Sequence, residues 1–182
     1  MPITLQVAGS AAIPNMVTKG QLNLGLVVDE IDRSGGDAQV FASFAGVIAM
    51  PADHRLTRLA AVTPGDLSGV TLICLTPEDR ARHCFDAALT QAGVTPDYII
   101  ETPNSSTICA LALSGDAVSL VNPLTTQGFV ERGLILRPLR PRIAFRSLLL
   151  FRPDNQRATL VQSFTKGLFA LRNSIMIPDS EG

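Results

Sequence analysis

The sequence lacks an excess of charge of either sign. Its 15 Lys and Arg residues and 16 Asp and Glu residues leave a formal net charge of −1, and the basic residues are scattered along the chain. A chain of this kind has no long-range attraction for a polyanion. No apolar spacing typical of a helix-turn-helix occurs near the amino terminus. We therefore expect no direct contact between these residues and nucleic acid.

Cysteine is also scarce. Cys74, Cys84 and Cys109 have no metal-ligand spacing, and an odd count fits poorly with a disulfide framework. Free cysteine is among the most buried residue types, so we expect three small apolar side chains in the core. No metal and no cofactor is expected.

Long hydrophobic runs are absent too. No apolar stretch approaches the length that spans a membrane, and residues 1–6 lack the basic head and apolar run of an export signal. The default expectation is a cytoplasmic protein without a membrane partner.

Signals for catalysis are few. Ser163 and Lys166 match the pattern Ser-x-x-Lys, but the companion motifs are missing and Ser163 falls in an amphipathic helix. His54 and His83 have no evident carboxylate or nucleophile within sequence reach, and no glycine-rich phosphate loop occurs. We expect that the chain is not an enzyme and has no catalytic residues.

What the sequence does contain is enough apolar residues for a packed core, 46% of the total, in an α/β order. Alternation predicts a strand over residues 3–8, a helix over 10–20 and a strand over 23–28, before a long extended run over 38–50. A second series of strands and helices then begins. It consists of strands over 70–75, 98–101 and 117–121, helices over 77–92 and 105–114, a second long extended run over 143–151, and a terminal helix over 156–174.

The two extended runs flank the second series, which predicts two lobes joined by two crossings. The first lobe would consist of residues 1–49 and 146–182, and the second of residues 50–145. A ligand crevice would lie between them.

Polar residues follow the predicted strands of the second lobe. Because loops at the carboxyl ends of parallel strands line the ligand crevice, we expect one small-molecule site there. Its members would be Asn104, Ser105, Ser106 and Thr107 before a helix, with Asn122 and Pro123 after a strand. Hydroxyls and free N–H groups at a helix start bind carboxylate or phosphate, although Asn104 or Ser105 could simply cap the helix. Asn122 could match a ligand with both ammonium and carboxylate groups, or form a turn before proline.

Two further candidates are less specific. Thr76 is predicted to cap a helix with Pro77 at its first position, followed by Glu78 and Asp79, and could also direct a polar group at the crevice. Phe145 lies where the second extended run should pass the crevice, while a core position is its alternative.

Five segments occur in an order and spacing that resemble the effector-binding domain of LysR-type transcriptional regulators. They are Gly20–Leu26, Pro51–Leu56, Thr63–Gly69, Ser114–Pro123 and Arg132–Leu134. The resemblance implies a periplasmic-binding-protein-like fold of two Rossmann-like lobes, a small-molecule effector and a homo-oligomer such as a dimer. Val-Asn-Pro and Ser-Ser-Thr are similar to members that sense amino acids or opines. Arg55 stands where proline is usual, and Asp116-Ala117 replaces a residue-glycine pair.

The resemblance also implies missing parts. Members contact DNA through a helix-turn-helix domain that this chain does not include. They open the first lobe with one strand and one long helix before the strand matched to residues 3–8, so this chain is expected to begin late. A hydrolase or other enzyme on the same scaffold, a transport-type solute-binding protein and a nonfunctional fragment are the alternatives.

Overall fold

The computed structural model describes residues 3–8, 12–28, 37–152 and 158–175. The chain forms two compact units, one of residues 1–43 and 146–182 and one of residues 44–145. The helices are α1 (Ile13–Thr18), α2 (Arg80–Gln91), α3 (Ser105–Ser114) and α4 (Thr159–Ile175). The strands are β1 (Leu24–Val28), β2 (Asp37–Ala45), β3 (Val47–Met50), β4 (Thr71–Cys74), β5 (Asp97–Glu101), β6 (Ser119–Val121), β7 (Ile135–Pro138) and β8 (Ala144–Phe151).

The first unit is built on a three-stranded sheet in the order β1-β8-β2, with β1 antiparallel to β8. Side chains of β8 alternate between two apolar clusters, as they must on a pleated strand. Leu148 and Leu150 pack with Val17 of α1, whereas Leu149 and Phe151 pack with Val161 of α4. The sheet is therefore covered by a helix on each face.

The strand predicted over residues 3–8 is wrong. These residues have no strand pairing, and Ile3, Leu5 and Val7 are 69%, 87% and 91% exposed. Alternation marks a segment that could fit a sheet, but a strand also needs a neighbour that accepts its hydrogen bonds. The predicted helix over 10–20 is shorter, from Ile13 to Thr18, and its expected first residue lies outside the described residues.

The second unit contains a mixed sheet. Strand β3 is antiparallel to β6 and β7, and β4 is parallel to β5. A parallel bridge joins β4 to β6, where the Ile73 N–H donates to the Val118 carbonyl and the Val118 N–H donates to the Thr71 carbonyl, both at 3.0 Å. The resulting order is β5-β4-β6-β3-β7. The parallel arrangement expected for the strands that line the crevice holds for β4, β5 and β6. Strand β3 runs antiparallel to both of its neighbours, β6 and β7.

The extended run predicted over 38–50 is two strands that meet at Gly46. The Gly46 N–H donates to the Ile143 carbonyl at 2.7 Å. A Cβ atom at this position would lie 2.7 Å from Leu120 Cδ1 and 2.8 Å from Phe145 Cε2. The close approach of these side chains therefore requires glycine.

Candidate functional site

The carboxyl ends of β4, β5 and β6 lie along one edge of the second unit's sheet, since these neighbouring strands run in the same direction. Thr76 follows β4, Thr102 follows β5 and Asn122 follows β6. The topology thus brings the turns predicted to bind a ligand to the same edge.

The turn after β5 leads into α3 through an amide cap. Asn104 Oδ1 accepts hydrogen bonds from the Ser106 N–H at 2.8 Å and the Thr107 N–H at 3.4 Å. The capping role of Asn104 is therefore confirmed, and α3 spans the residues predicted for it. The first turn of α3 contains no acidic residue. The positive end of the helix dipole is consequently not neutralised from within.

Three hydroxyl groups surround this helix start. Ser106 and Thr107 are exposed and Ser105 is half-buried. Within the described residues, the hydroxyl groups of Ser105, Ser106 and Thr107 form no hydrogen bond. They remain able to donate to a bound anion.

Asn122 caps a short 3₁₀ helix, Pro123–Thr126, by accepting a hydrogen bond from the Leu124 N–H at 3.0 Å. The Thr125 hydroxyl donates to the Asn122 carbonyl at 2.7 Å, and the 3₁₀ helix that contains Thr125 packs against α3. Burial raises the pKa of Cys109, and the contact with Thr125 opposes this rise. Helix α3 and the turn after β6 therefore touch, with Ser106 one helical turn from the contact.

The predicted cap at Thr76 is wrong. Helix α2 begins at Arg80, and the Asp79 carboxylate caps it by accepting from the Ala81 N–H at 2.8 Å and the Arg82 N–H at 3.3 Å. Thr76 instead accepts the Asp79 N–H at its carbonyl, at 3.0 Å. Burial raises the pKa of Asp79, although the two backbone donors oppose the rise. Both residues can cap a helix, and the sequence offered no means of choosing between them.

Pro123 and Phe145 occupy different environments. Pro123 begins the 3₁₀ helix and is half-buried. Phe145 packs against both apolar clusters of the second unit, close to Leu120 and Gly46. Ligand contact by either residue stays a prediction, as it does for the other candidate residues.

Arg82, in the first turn of α2, was not among the residues predicted from the sequence. Its side chain is only 9% exposed, and its Nε donates to Asp86 Oδ2 at 2.7 Å. Its Nη1 lies 2.8 Å from the Leu75 carbonyl and 3.2 Å from Glu101 Oε1. The spacing of Arg82 and Asp86, four residues apart in a predicted helix, was the signal that could have revealed part of this network.

Tyr98 and Cys74 complete the surroundings of Arg82. The guanidinium lies 3.9 Å from the centre of the Tyr98 ring, and the Tyr98 hydroxyl donates to Asp86. Burial and this hydrogen bond raise the pKa of Tyr98. Cys74 Sγ lies 2.7 Å from Arg82 Nη1, and burial raises the pKa of Cys74 to about 11, so the thiol is protonated at neutral pH. Cys74 and Cys109 are buried as predicted, whereas Cys84 is half-buried.

Comparison with protein families identifies the chain's relatives. Residues 1–169 match the family model described as the LysR substrate binding domain. The chain belongs to this family. The resemblance carried by the five sequence segments is thereby confirmed.

Curated relatives of this LysR substrate-binding domain are regulators. The chain is 28% identical over 166 residues to the regulatory protein NocR of Agrobacterium tumefaciens, covering 91% of this chain and 55% of that protein. It is 30% identical over 149 residues to the transcriptional activator protein LysR of Escherichia coli, covering 81% of this chain and 48% of that protein. The chain thus spans about half the length of the curated relatives it matches.

A solved structure gives the fold independently. The regulatory domain of CcmR from Synechocystis, determined in complex with 2-PG, matches with a TM-score of 0.79 at 16% identity. The match covers 96% of this chain and 85% of that chain. The predicted fold, the two-lobe periplasmic-binding-protein-like α/β fold of LysR regulatory domains, is confirmed.

Metal-binding groups and membrane-spanning helices are both absent from the described residues. Among the described residues, no three or more His, Cys, Asp or Glu side chains are grouped so that they could hold a metal ion. The helices of the same residues include none with both the length and the apolar character to cross a membrane.

Proposed function

We propose that this LysR substrate-binding domain senses a small metabolite with a carboxylate or phosphate group, held at the carboxyl edge of β4, β5 and β6. The observation that carries the proposal is the start of α3. A neutral amide caps it, its first turn has no acidic residue, and three hydroxyls beside it are unbonded within the described chain. N–H groups, hydroxyls and the helix dipole together favour an anion.

The turn after β6 supplies a second kind of contact. Asn122 uses its Oδ1 as a cap, which leaves its amide N–H groups directed away from that bond and available as donors. With hydroxyls on α3 and an amide on the neighbouring turn, the site suits a small ligand with more than one polar group. We propose an amino-acid-like anion, bound by Asn104, Ser105, Ser106, Thr107, Asn122, Pro123, Thr76 and Phe145.

In the complete protein we propose that this binding controls transcription. A ligand changes an equilibrium between conformations only through unequal affinity for them, so the effector would stabilise one regulatory state. DNA contact would come from a separate helix-turn-helix domain, in a cytoplasmic homo-oligomer. The names of the curated relatives and the 2-PG complex of a domain with this fold support this proposal.

No observation favours an enzyme. His54 Nδ1 accepts a hydrogen bond from the Leu56 N–H at 3.3 Å and so caps a 3₁₀ helix. Neither His54 nor His83 bonds to a serine or cysteine side chain in the described residues. A base that is occupied as a cap is poorly placed to activate a nucleophile.

Calorimetric titration tests the proposal. The panel would contain the standard amino acids, small mono- and dicarboxylic acids and 2-PG. We expect at least one compound to bind with a Kd of about 1 μM to 1 mM, equivalent to roughly 4–8 kcal/mol. Absence of binding by every compound would overturn the proposed ligand class.

A matched pair of variants locates the site. Ser106→Ala with Thr107→Ala removes two exposed hydroxyls at the start of α3, and should weaken the best compound by about tenfold, since each lost hydrogen bond to a charged group matters. Ser114→Ala removes an exposed hydroxyl at the other end of the same helix and should leave the Kd unchanged. Equal Kd values for the two variants would place the ligand elsewhere.

A further inference from the structure

We propose that Arg82 is a positioning residue that fixes the turns after β4 and β5 relative to each other, and so holds the effector site in its binding geometry. The proposal rests on the proposed function of these turns. It assigns no ligand contact to Arg82 itself. Its basis is the position of the guanidinium between the ends of two strands.

The ladder between β4 and β5 ends just before the candidate turns. Its last bond runs from the Thr102 N–H to the Cys74 carbonyl at 3.0 Å. Immediately beyond it, Arg82 Nη1 bridges the Leu75 carbonyl and the Glu101 carboxylate, at 2.8 Å and 3.2 Å. Leu75 directly precedes Thr76, and Glu101 directly precedes Thr102. Arg82 thus continues the connection between the strands past the point where backbone pairing stops.

The position of the Arg82 side chain is fixed by contacts with Asp86 and Tyr98. Its Nε is bound to Asp86, and its guanidinium lies over the Tyr98 ring. The Tyr98 hydroxyl bonds to the same Asp86 carboxylate. A planar guanidinium can satisfy these partners at once, whereas a lysine ammonium has one nitrogen and a different geometry. We call this set of contacts, from Arg82 to Leu75, Asp86, Tyr98 and Glu101, the clamp. The clamp depends on arginine and not only on positive charge.

The charges around Arg82 favour a positioning role over an anion-binding role. Asp86 and Glu101 both form ion pairs with its guanidinium. Two carboxylates against one cation leave no excess positive charge for an effector. What Arg82 contributes is the fixed spacing of the two strand ends.

Amide hydrogen exchange measured by NMR on the intact chain tests this role without any ligand. The reporters are the N–H groups of Asp79, Thr102 and Ser106, which are bonded to Thr76, Cys74 and Asn104. In Arg82→Met we expect exchange at all three to increase by about tenfold or more, because local opening exposes them. In Arg82→Lys the increase should be smaller. Wild-type exchange rates in Arg82→Met would overturn the proposal.

Arg137→Met is the matched control. Arg137 lies in the same unit and donates to three carbonyls, those of Thr57, Leu59 and Leu136, at 2.6, 2.7 and 2.8 Å. Its loss should lower the Tm without selective exchange at the three reporters. If Arg82→Met and Arg137→Met give the same exchange pattern, Arg82 has only a general structural role.

Glu101→Ala keeps the test available if Arg82→Met does not fold, because Glu101 is exposed and its loss removes one arm of the clamp. Exchange should increase at Thr102 and Ser106 and stay unchanged at Asp79. An unchanged or uniform exchange pattern would count against the clamp.

Ligand affinity gives a second measurement. For any compound that binds the wild type, Arg82→Lys should raise the Kd by about threefold or more at a temperature where the variant is fully folded. If no compound binds, the exchange result still decides the role of Arg82 separately from the proposed function.

Discussion

Helices α2 and α3 both start after neighbouring parallel strands, yet the side chains that cap them differ in charge. Asp79 caps α2 with a carboxylate and Glu78 precedes it, while Asn104 caps α3 with a neutral amide beside three hydroxyls. Both caps satisfy two backbone N–H groups. The difference is that α2 neutralises its own dipole and α3 does not. Two equivalent positions in one sheet thus differ in how they can interact with an anion, because the carboxylate cap of α2 repels it and the neutral cap of α3 does not.

Introducing a carboxylate at α3 should have the largest effect. Asn104→Asp retains a capping oxygen, so the helix should stay formed, while its charge opposes an anionic ligand. We expect the Kd of the best panel compound to increase by more than about tenfold through repulsion at short range. Calorimetry measures the Kd, and circular dichroism checks the helix content. Unchanged affinity would mean that the anionic group does not bind at α3.

Removing the cap of α2 should affect stability and not binding. Asp79→Ala leaves the Ala81 and Arg82 N–H groups without their acceptor, at an expected cost of about 1 kcal/mol in the free energy of unfolding. Asp79→Asn keeps an acceptor and should cost less than about 0.5 kcal/mol. Urea unfolding gives both values. If Asp79→Ala and Asp79→Asn lose the same free energy of unfolding, the carboxylate charge, and not the capping hydrogen bond, matters at this position.

The smallest effect concerns pH. The folded-state pKa of Asp79 is raised, chiefly by burial, so the native state binds this proton more tightly than the unfolded state. Its ionised form therefore costs stability above the folded pKa, and the cost disappears as the pH falls through that pKa towards 3.8. Relative to Asp79→Asn, the wild type should gain unfolding free energy as the pH is lowered over this range.

Asp66 provides the control with the opposite sign. Hydrogen bonds from the Thr63 side chain and backbone lower the pKa of Asp66. Its stabilising contribution is present above 3.8 and is lost as the pH falls through the lower folded pKa. Asp66→Asn should thus differ from the wild type in the reverse direction. If the unfolding free energies of Asp79→Asn and Asp66→Asn change in the same direction with pH relative to the wild type, the causes assigned to the two pKa shifts are wrong.

Helices α2 and α3 also differ in how well their bounds could be predicted from the sequence. The bounds of α3 were predictable because its two cap candidates, Asn104 and Ser105, are adjacent and Gly115 follows the helix. The start of α2 was missed by three residues because Thr76 and Asp79 are both good caps, and in the structure it is Asp79 that accepts the bonds of the first helical N–H groups.

The other features that could not be predicted from the sequence depend on pairing between distant parts of the chain. The antiparallel direction of β3, and the absence of strand pairing for residues 3–8, depend on neighbours distant in sequence. The clamp around Arg82 joins β4, α2 and β5, so only the Arg82–Asp86 spacing was visible beforehand. The polar turns were predictable because strand ends and turn residues are local features.

An NMR titration of the ¹⁵N-labelled chain with the best panel compound is the most direct test of the central claim. We predict saturable chemical-shift changes at the amides of Ser106, Thr107 and Leu124, the last of which is bonded to Asn122. No change is expected at the Ala81 amide in the first turn of α2. Changes at Ala81 without changes at Ser106 and Thr107, or no changes along this sheet edge, would contradict the central claim.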